Sequence, residues 1–248
     1  WIDYHQKELN EWRYLAARLN LPLPSDSLRS SEARAFRRVV SPFQTDPTLN
    51  PLGLLPGDPL QGGYFAGYIS HTNNGVPTHA LIVAPKASGE SASLQWKTSN
   101  TSTFGTSSDF DGAANTAAMD NASHPAAQYC AGLTIGGYSD WYLPARCELD
   151  IAYFHLKPTT GSNNTSWGVN DYSVPKRTAN YTAGDPARTS IAAFQDGGAE
   201  AFVADTHWSS TEDSATLAWG LTFFNGLQLD DSGKNSSVRV RAFRKFAL

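Results

Sequence analysis

The sequence predicts an α+β domain with strands at its start and end, two helices between them, and long loops. Three observations carry that expectation. Residues 64–69 and 80–84 are apolar, strand-like runs separated by the turn-rich segment His71 to Pro77. Residues 116–133 and 145–156 repeat apolar positions at helical spacing. Residues 206–210, 218–224 and 238–246 return to strand character, and Asn225-Gly226 marks a hairpin turn. Helices enclosed by first and last strands bring the domain's two ends into one antiparallel sheet.

An arm precedes this domain. Ile2, Leu9, Trp12, Ala16 and Leu19 lie on one stripe and predict a helix over residues 1–20. Leu21-Pro22-Leu23-Pro24 ends it, since proline removes a backbone donor. The stripe suits a helix packed on its own domain or a short oligomerisation seam. Ser30-Ser31-Glu32 is a start signal for a second short helix through Val40. Pro42, Pro47, Pro51, Pro56 and Pro59, with Gly53 and Gly57, then read as an extended linker. The expected division is residues 1–60 as an oligomerisation or docking arm and 61–248 as the main domain.

Within the main domain, Leu94 to Lys97 is a further short strand and 98–112 a polar loop. The helix over 116–133 uses Ala118, Ala122, Ala126, Cys130 and Leu133; Pro125 kinks it or divides it. Gly136-Gly137 permits a tight turn before Trp141-Tyr142-Leu143, a short strand with Trp141 and Leu143 on one side. The second helix, 145–156, places Leu149, Ala152, Tyr153 and Leu156 on one face. Residues 157–190 form a long loop, and long loops in compact domains are commonly functional.

Composition narrows the function. Charged residues are only 17% and the net charge is −4, so no basic field exists for nucleic acid. No run reaches the length needed to insert into a membrane. The local excess at Arg34, Arg37 and Arg38 reads as a solvated helix face. Cys130 and Cys147 allow one bridge or two buried thiols, not a disulfide framework. His5, His71, His79, His124, His155 and His207 show no metal-ligand spacing, and no nucleophile elbow or phosphate loop occurs. Asp109, Asp111, Asp230 and Asp231 are of a type calcium takes, but no EF-hand loop surrounds them. The expectation is a non-enzymatic protein with no catalytic residues, no metal and no cofactor.

Several motifs stand in a telling order. They are Gly136-Gly137-Tyr138-Ser139-Asp140-Trp141-Tyr142-Leu143-Pro144 with Glu148-Leu149, then His207-Trp208-Ser209-Ser210-Thr211-Glu212. Ala218-Trp219, Asn225-Gly226 and Val240-Arg241-Ala242-Phe243-Arg244 follow. Over residues 62–246 the chain resembles the bacterial and phage domain family named for the C-terminal domain of a Legionella collagen-like adhesin. Gly62 to Gly67 and Ala80 to Lys86 resemble the form found in tailed-phage tail fibre and host-attachment proteins. Cys147 and Tyr142 depart from the residues usual at their positions. The resemblance implies a C-type-lectin-like fold: two helices, antiparallel sheets and long loops. It also implies a virion protein of the phage tail, or a bacterial surface or secreted adhesin. The cysteine pair that the oxidase branch of this broad fold carries late in its chain has no counterpart here. The Glu-Pro-Asn and Trp-Asn-Asp motifs of calcium-dependent lectins are also missing.

The motif residues read as scaffold: Trp208 in the core, Asp140 bonded to turn amides, and Arg241 or Arg244 paired with Glu212. Ligand contacts are expected elsewhere, in loops rich in Asn, Ser, Thr, Tyr and Gly, which combine adaptable hydrogen bonding with rigid aromatic contacts. Residues 163–181 and 222–235 fit that description. The candidates are Trp167, Tyr172, Tyr181, Phe224, Asn225, Gln228, Asp230 and Asn235. Expected partners are a bacterial cell-surface receptor, glycan or protein, and other tail proteins docked through the arm. A structural role as baseplate, fibre-joint or decoration subunit is the alternative. A homo-oligomer, by analogy with fibres a trimer, is the expected assembly.

Overall fold

The computed structural model describes residues 46–248. The helices expected over 1–20 and 30–40, and the trimer seam, lie outside the described residues. Those described form a mixed α+β domain. In chain order they are β1 (Pro59–Leu60), β2 (Gly63–Ile69), β3 (His79–Val83), α1 (Lys86–Gly89) and β4 (Glu90–Gln95). Then come α2 (Gly112–Ala118), α3 (Pro125–Ala131), α4 (Arg146–Leu156), β5 (Ser173–Val174) and a 3-10 turn at Ala192–Phe194. The chain ends with β6 (Thr206–Glu212), β7 (Leu217–Thr222), β8 (Gln228–Gly233), β9 (Ser237–Arg241) and β10 (Phe243–Ala247).

Two sheets organise these elements. The first runs β1-β2-β3-β10, with β5 also on β2; the second runs β4-β9-β6-β7-β8. All pairings are antiparallel except β6 with β9. The last strand, β10, pairs with β3, Phe243 opposite Val83, so the domain's ends do meet in one sheet.

Helix α4 lies between the sheets. Its Leu149, Ala152, Tyr153 and Leu156 pack with Ala66, Ile69, Leu81 and Val83 of the first sheet and Leu221 and Phe223 of the second. The helix approaches β2 at Gly67, where a Cβ would stand 2.7 Å from Ile151. Only glycine fits there, since its φ is also +139°. A second core gathers Trp96, Trp141, Trp208, Met119, Ala126 and Cys130. The indole N–H of Trp96 donates to the Ser209 carbonyl at 2.9 Å, and that of Trp208 to the Leu94 carbonyl at 2.9 Å. These reciprocal bonds tie β4 to β6 across β9.

Glu148, fully buried, locks the start of α4. Its carboxylate accepts from the Ala145 N–H at 2.8 Å, the Gly112 N–H at 3.2 Å and the Tyr142 hydroxyl at 2.8 Å. Lys245 stands 3.5 Å away and also bonds Asp111, the cap of α2.

Several expectations need correction. The helix over 116–133 is divided, one of the two outcomes expected of Pro125, which opens α3 as its first residue; what differs is the start, since Asp111 caps α2 ahead of residue 116. The strand over 238–246 is two strands in different sheets. Ala242 divides them: its N–H bonds the Gly89 carbonyl and its carbonyl accepts from Ala84, both at 2.9 Å. Arg241 and Arg244 do not pair with Glu212. Arg241 bonds Glu90 and Glu200, Arg244 grips Asp140 with two nitrogens at 2.7 and 2.8 Å, and Glu212 takes Lys234. Asp140 is thus an ion-pair partner as well as a turn residue. The stretch before residue 60 is not a free linker where described. Leu49 and Leu54 pack on the first sheet, and Asn50 accepts from the Tyr68 hydroxyl at 2.8 Å. Cys130 and Cys147 are free, buried thiols; burial raises both, Cys147 to about 12.

Burial also sets an acid limit. It lowers His71, His124 and His155 to about 4 and His207 to about 3. The unfolded chain therefore takes up protons first as pH falls, so stability present above about pH 6.5 is lost toward pH 4. Buried His124 and His207 each contribute a slope up to about 1.4 kcal/mol per pH unit, and the partly exposed His71 and His155 less. Asp140, held low by Arg244, adds loss at lower pH, while Glu148, raised by burial, opposes it. The urea midpoint is expected to fall steeply between pH 6.5 and 4.5; a flat midpoint would contradict this.

Candidate ligand-binding face

The two segments singled out for ligand contact meet in space. The Thr159 hydroxyl donates to the Phe224 carbonyl at 2.8 Å, and the Asn164 N–H to the Asn225 carbonyl at 2.8 Å. The long loop thus seats on the turn between β7 and β8. Buried side chains hold it in shape. Lys157 donates to the Gly161 carbonyl and to the Asn163 side chain, both at 2.6 Å, and to the Pro186 carbonyl at 3.3 Å. Asn163 in turn donates to the carbonyls of Thr182 and Pro186, both at 2.9 Å. Such bonds replace the backbone ladder that an irregular segment lacks.

Asp150, 1% exposed, is the second anchor. Its carboxylate accepts from the Asn170 amide at 2.7 Å, the Arg177 guanidinium, the Tyr181 hydroxyl and the Gln228 amide at 3.3 Å. Arg177 also donates to the Gly168 carbonyl at 2.9 Å and stacks over Phe154 at 4.5 Å. One helical turn earlier, the Arg146 guanidinium lies 4.4 Å over the Trp219 ring. Trp167 meets Trp219 edge to face at 5.9 Å. Helix α4 and the β7–β8 ribbon are therefore joined by two rungs, Arg146 on Trp219 and Asp150 with Gln228. Two buried polar atoms here make no hydrogen bond among the described residues: Arg146 Nε, which faces Asp109 Oδ1 at 3.4 Å as an ion pair, and Gln228 Oε1.

Asp150→Ala would strip four donors of their shared acceptor and leave Arg177 buried beside no carboxylate. We expect protease cleavage within 157–190 to accelerate at least about ten-fold while the sheets persist, read by limited proteolysis. Unchanged cleavage would mean the loop is held by Lys157 and Asn163 alone.

The sequence-predicted residues fall into three groups. Phe224 (49% exposed) and Asn225 lie where the long loop seats on the β7–β8 turn, Trp167 meets Trp219 of β7, and Gln228 of β8 reaches Asp150. Gln228 is 6% exposed, so its amide serves Asp150 first. Tyr181, 5% exposed, lies beneath the face as a support, its hydroxyl on Asp150. Tyr172 stacks on Phe110 at 4.3 Å. Asn235 sits at the other end of β8, bonded to Asn100 and Gln95. Asp230 lies in β8.

Sequence reasoning missed Arg146, Asp150, Arg177 and Trp219. Trp219 belongs to a motif read as scaffold, and Arg146 lies between Pro144 and the Glu148-Leu149 pair of another. Asp150 lies beside, not on, the face that Leu149, Ala152, Tyr153 and Leu156 define, so helical spacing did not mark it for burial. No protein-family model matches the chain, and no curated protein matches it. Among the described residues, no helix is long and apolar enough to cross a membrane.

Proposed function

We propose that the chain is a non-enzymatic host-attachment protein of a tailed-phage fibre, in which a C-type-lectin-like domain recognises a ligand on the bacterial surface. The observation that carries this reading is the meeting of two polar, aromatic-rich segments, distant in sequence, on one braced face. Rigid loops lose little conformational entropy on binding, which favours recognition. The residues behind the family resemblance support it from beneath. Gly136 and Gly137 take positive φ at the turn, Trp141 and Trp208 fill the core, and Asp140 fastens Arg244 of the last strand. These positions are occupied by folding, which leaves the loop face for the ligand.

The test is binding of the purified chain to intact cells of candidate hosts. Saturable binding, reduced about ten-fold by Phe224→Ala and unchanged by Asn235→Ala, is the expected result. No binding to any host, with the protein tightly packed among other virion subunits, would replace this reading with a structural role.

A further inference from the structure

The dipeptide Asn-Gly occurs twice in the chain, at Asn74-Gly75 and at Asn225-Gly226. It is the least hindered place for a backbone nitrogen to attack the side-chain amide before it, because glycine has no Cβ beside that nitrogen. The fold holds the two copies differently. The Asn225–Gly226 peptide is fixed on both sides: its N–H donates to the Thr222 carbonyl and its carbonyl accepts from the Asn164 N–H, both at 2.8 Å. A Cβ on Gly226 would stand 2.4 Å from the Tyr153 ring, so this turn is pressed against α4. The Asn74–Gly75 peptide lies in the turn between β2 and β3, with Asn74 exposed. Among the described residues neither its N–H nor its carbonyl is hydrogen-bonded, and a Cβ on Gly75 would meet nothing within 4 Å. This peptide is free to turn its nitrogen toward the side chain.

The Asn74 side chain, by contrast, is held. Its Oδ1 accepts from the Thr72 hydroxyl at 2.9 Å, the Val76 N–H at 3.0 Å and the Ser70 hydroxyl at 3.1 Å. The bond to Val76, two residues on, folds the side chain back along its own backbone. Attack on the amide carbon drives negative charge onto this oxygen, and donors already aimed there stabilise it. Asn225 Oδ1 accepts from one donor among the described residues, the Leu227 N–H at 3.1 Å. We propose that Asn74 is a modification site at which the chain deamidates itself, while Asn225 is protected in the folded protein. The Gly75 nitrogen loses its proton to water and bonds Asn74 Cγ. The Cγ–Nδ2 bond then breaks and ammonia leaves, giving a cyclic imide. Water opens the ring at either carbonyl, to aspartate or to isoaspartate, in which the backbone runs through the former side chain. Either product adds one negative charge to a chain of net charge −4. It does so one residue from Asn73, whose Oδ1 accepts from Lys176 Nζ of the long loop at 3.0 Å. Conversion of Asn74 therefore alters a turn that touches the loop 157–190.

The experiment ages the full chain at mildly alkaline pH, folded and in urea, and maps its peptides by mass. The exchange of NH2 for OH marks each conversion, and isoaspartate methyltransferase labels the iso form. Expected is conversion of Asn74 at least about ten-fold faster than Asn225 in the folded chain. In urea, where only the shared dipeptide is left, the two sites are expected to convert at equal rates. Thr72→Val removes one donor at an exposed position and is expected to slow Asn74 several-fold with the melting temperature unchanged. Asn225 converting as fast as Asn74 in the folded chain overturns the site. So does an Asn74 that stays intact in the folded chain over the time in which the unfolded chain converts. A native rate in Thr72→Val overturns the part given to the hydroxyl donors.

Discussion

Glu148→Ala is expected to lower the melting temperature by about 10 °C, among the largest effects of any single change in the domain. The carboxylate is fully buried and serves three donors: the Ala145 N–H, the Gly112 N–H and the Tyr142 hydroxyl. Removing it orphans all three and takes from Lys245 one of its two carboxylates. Breaking a buried charged network from one side costs about 3–5 kcal/mol. In a domain of this size each kcal/mol moves the midpoint by about 2–4 °C. Glu148→Gln keeps an acceptor for the two amides and is expected to cost about half as much. Scanning calorimetry decides it; a shift under about 3 °C for the alanine variant would show that water replaces the carboxylate.

Arg241→Ala is expected to be comparably damaging, because Arg241 sits where the chain passes from one sheet to the other. Its Nε donates to the Ala84 carbonyl at 2.7 Å, beyond the end of β3. Its other nitrogens reach Glu90 of β4 and Glu200 of the preceding loop, both at 3.1 Å. The guanidinium also lies over Phe202 at 5.1 Å. Truncation leaves the nearly buried Glu200 carboxylate without its cation and Glu90 with Arg239 alone, 3.7 Å away, at a cost of about 3–5 kcal/mol. Adding Glu200→Gln should recover part of that loss, since one of the stranded charges is gone. Urea unfolding of the single and double variants measures this. A double variant no more stable than the single would show that the Ala84 bond, not the charges, carries the effect.

Local features of this fold were legible in the sequence, and partnerships were not. Helix α4 and the Asn225-Gly226 turn follow from spacing and turn chemistry that act within a few residues. Trp208 is core, as its neighbours suggested. The division at Ala242 could not be read, because 238–246 is continuous strand sequence. Only the pull of Gly89 on one side and Ala84 on the other separates the two strands. The partners of Arg241, Arg244 and Glu212 are likewise set by residues 22 to 151 positions away. On the site, composition located both segments, while the braces beneath them, Asp150 and Arg177, were hidden. A partly exposed loop residue and one that props the loop from beneath look alike until burial separates them, as Trp167 and Tyr181 show.

In the proposed role, the loop 157–190 and the β7–β8 turn form the surface that meets the host. Hydroxyl-radical footprinting of the full chain, free and bound to host cells, tests it most directly. Phe104 is fully exposed in the loop before α2 and serves as an internal reference. Protection of Trp167, Trp219 and Phe224 on binding, with Phe104 still oxidised at its free rate, is the predicted result. Protection of Phe104 with those three residues unchanged would place the contact elsewhere and contradict the account.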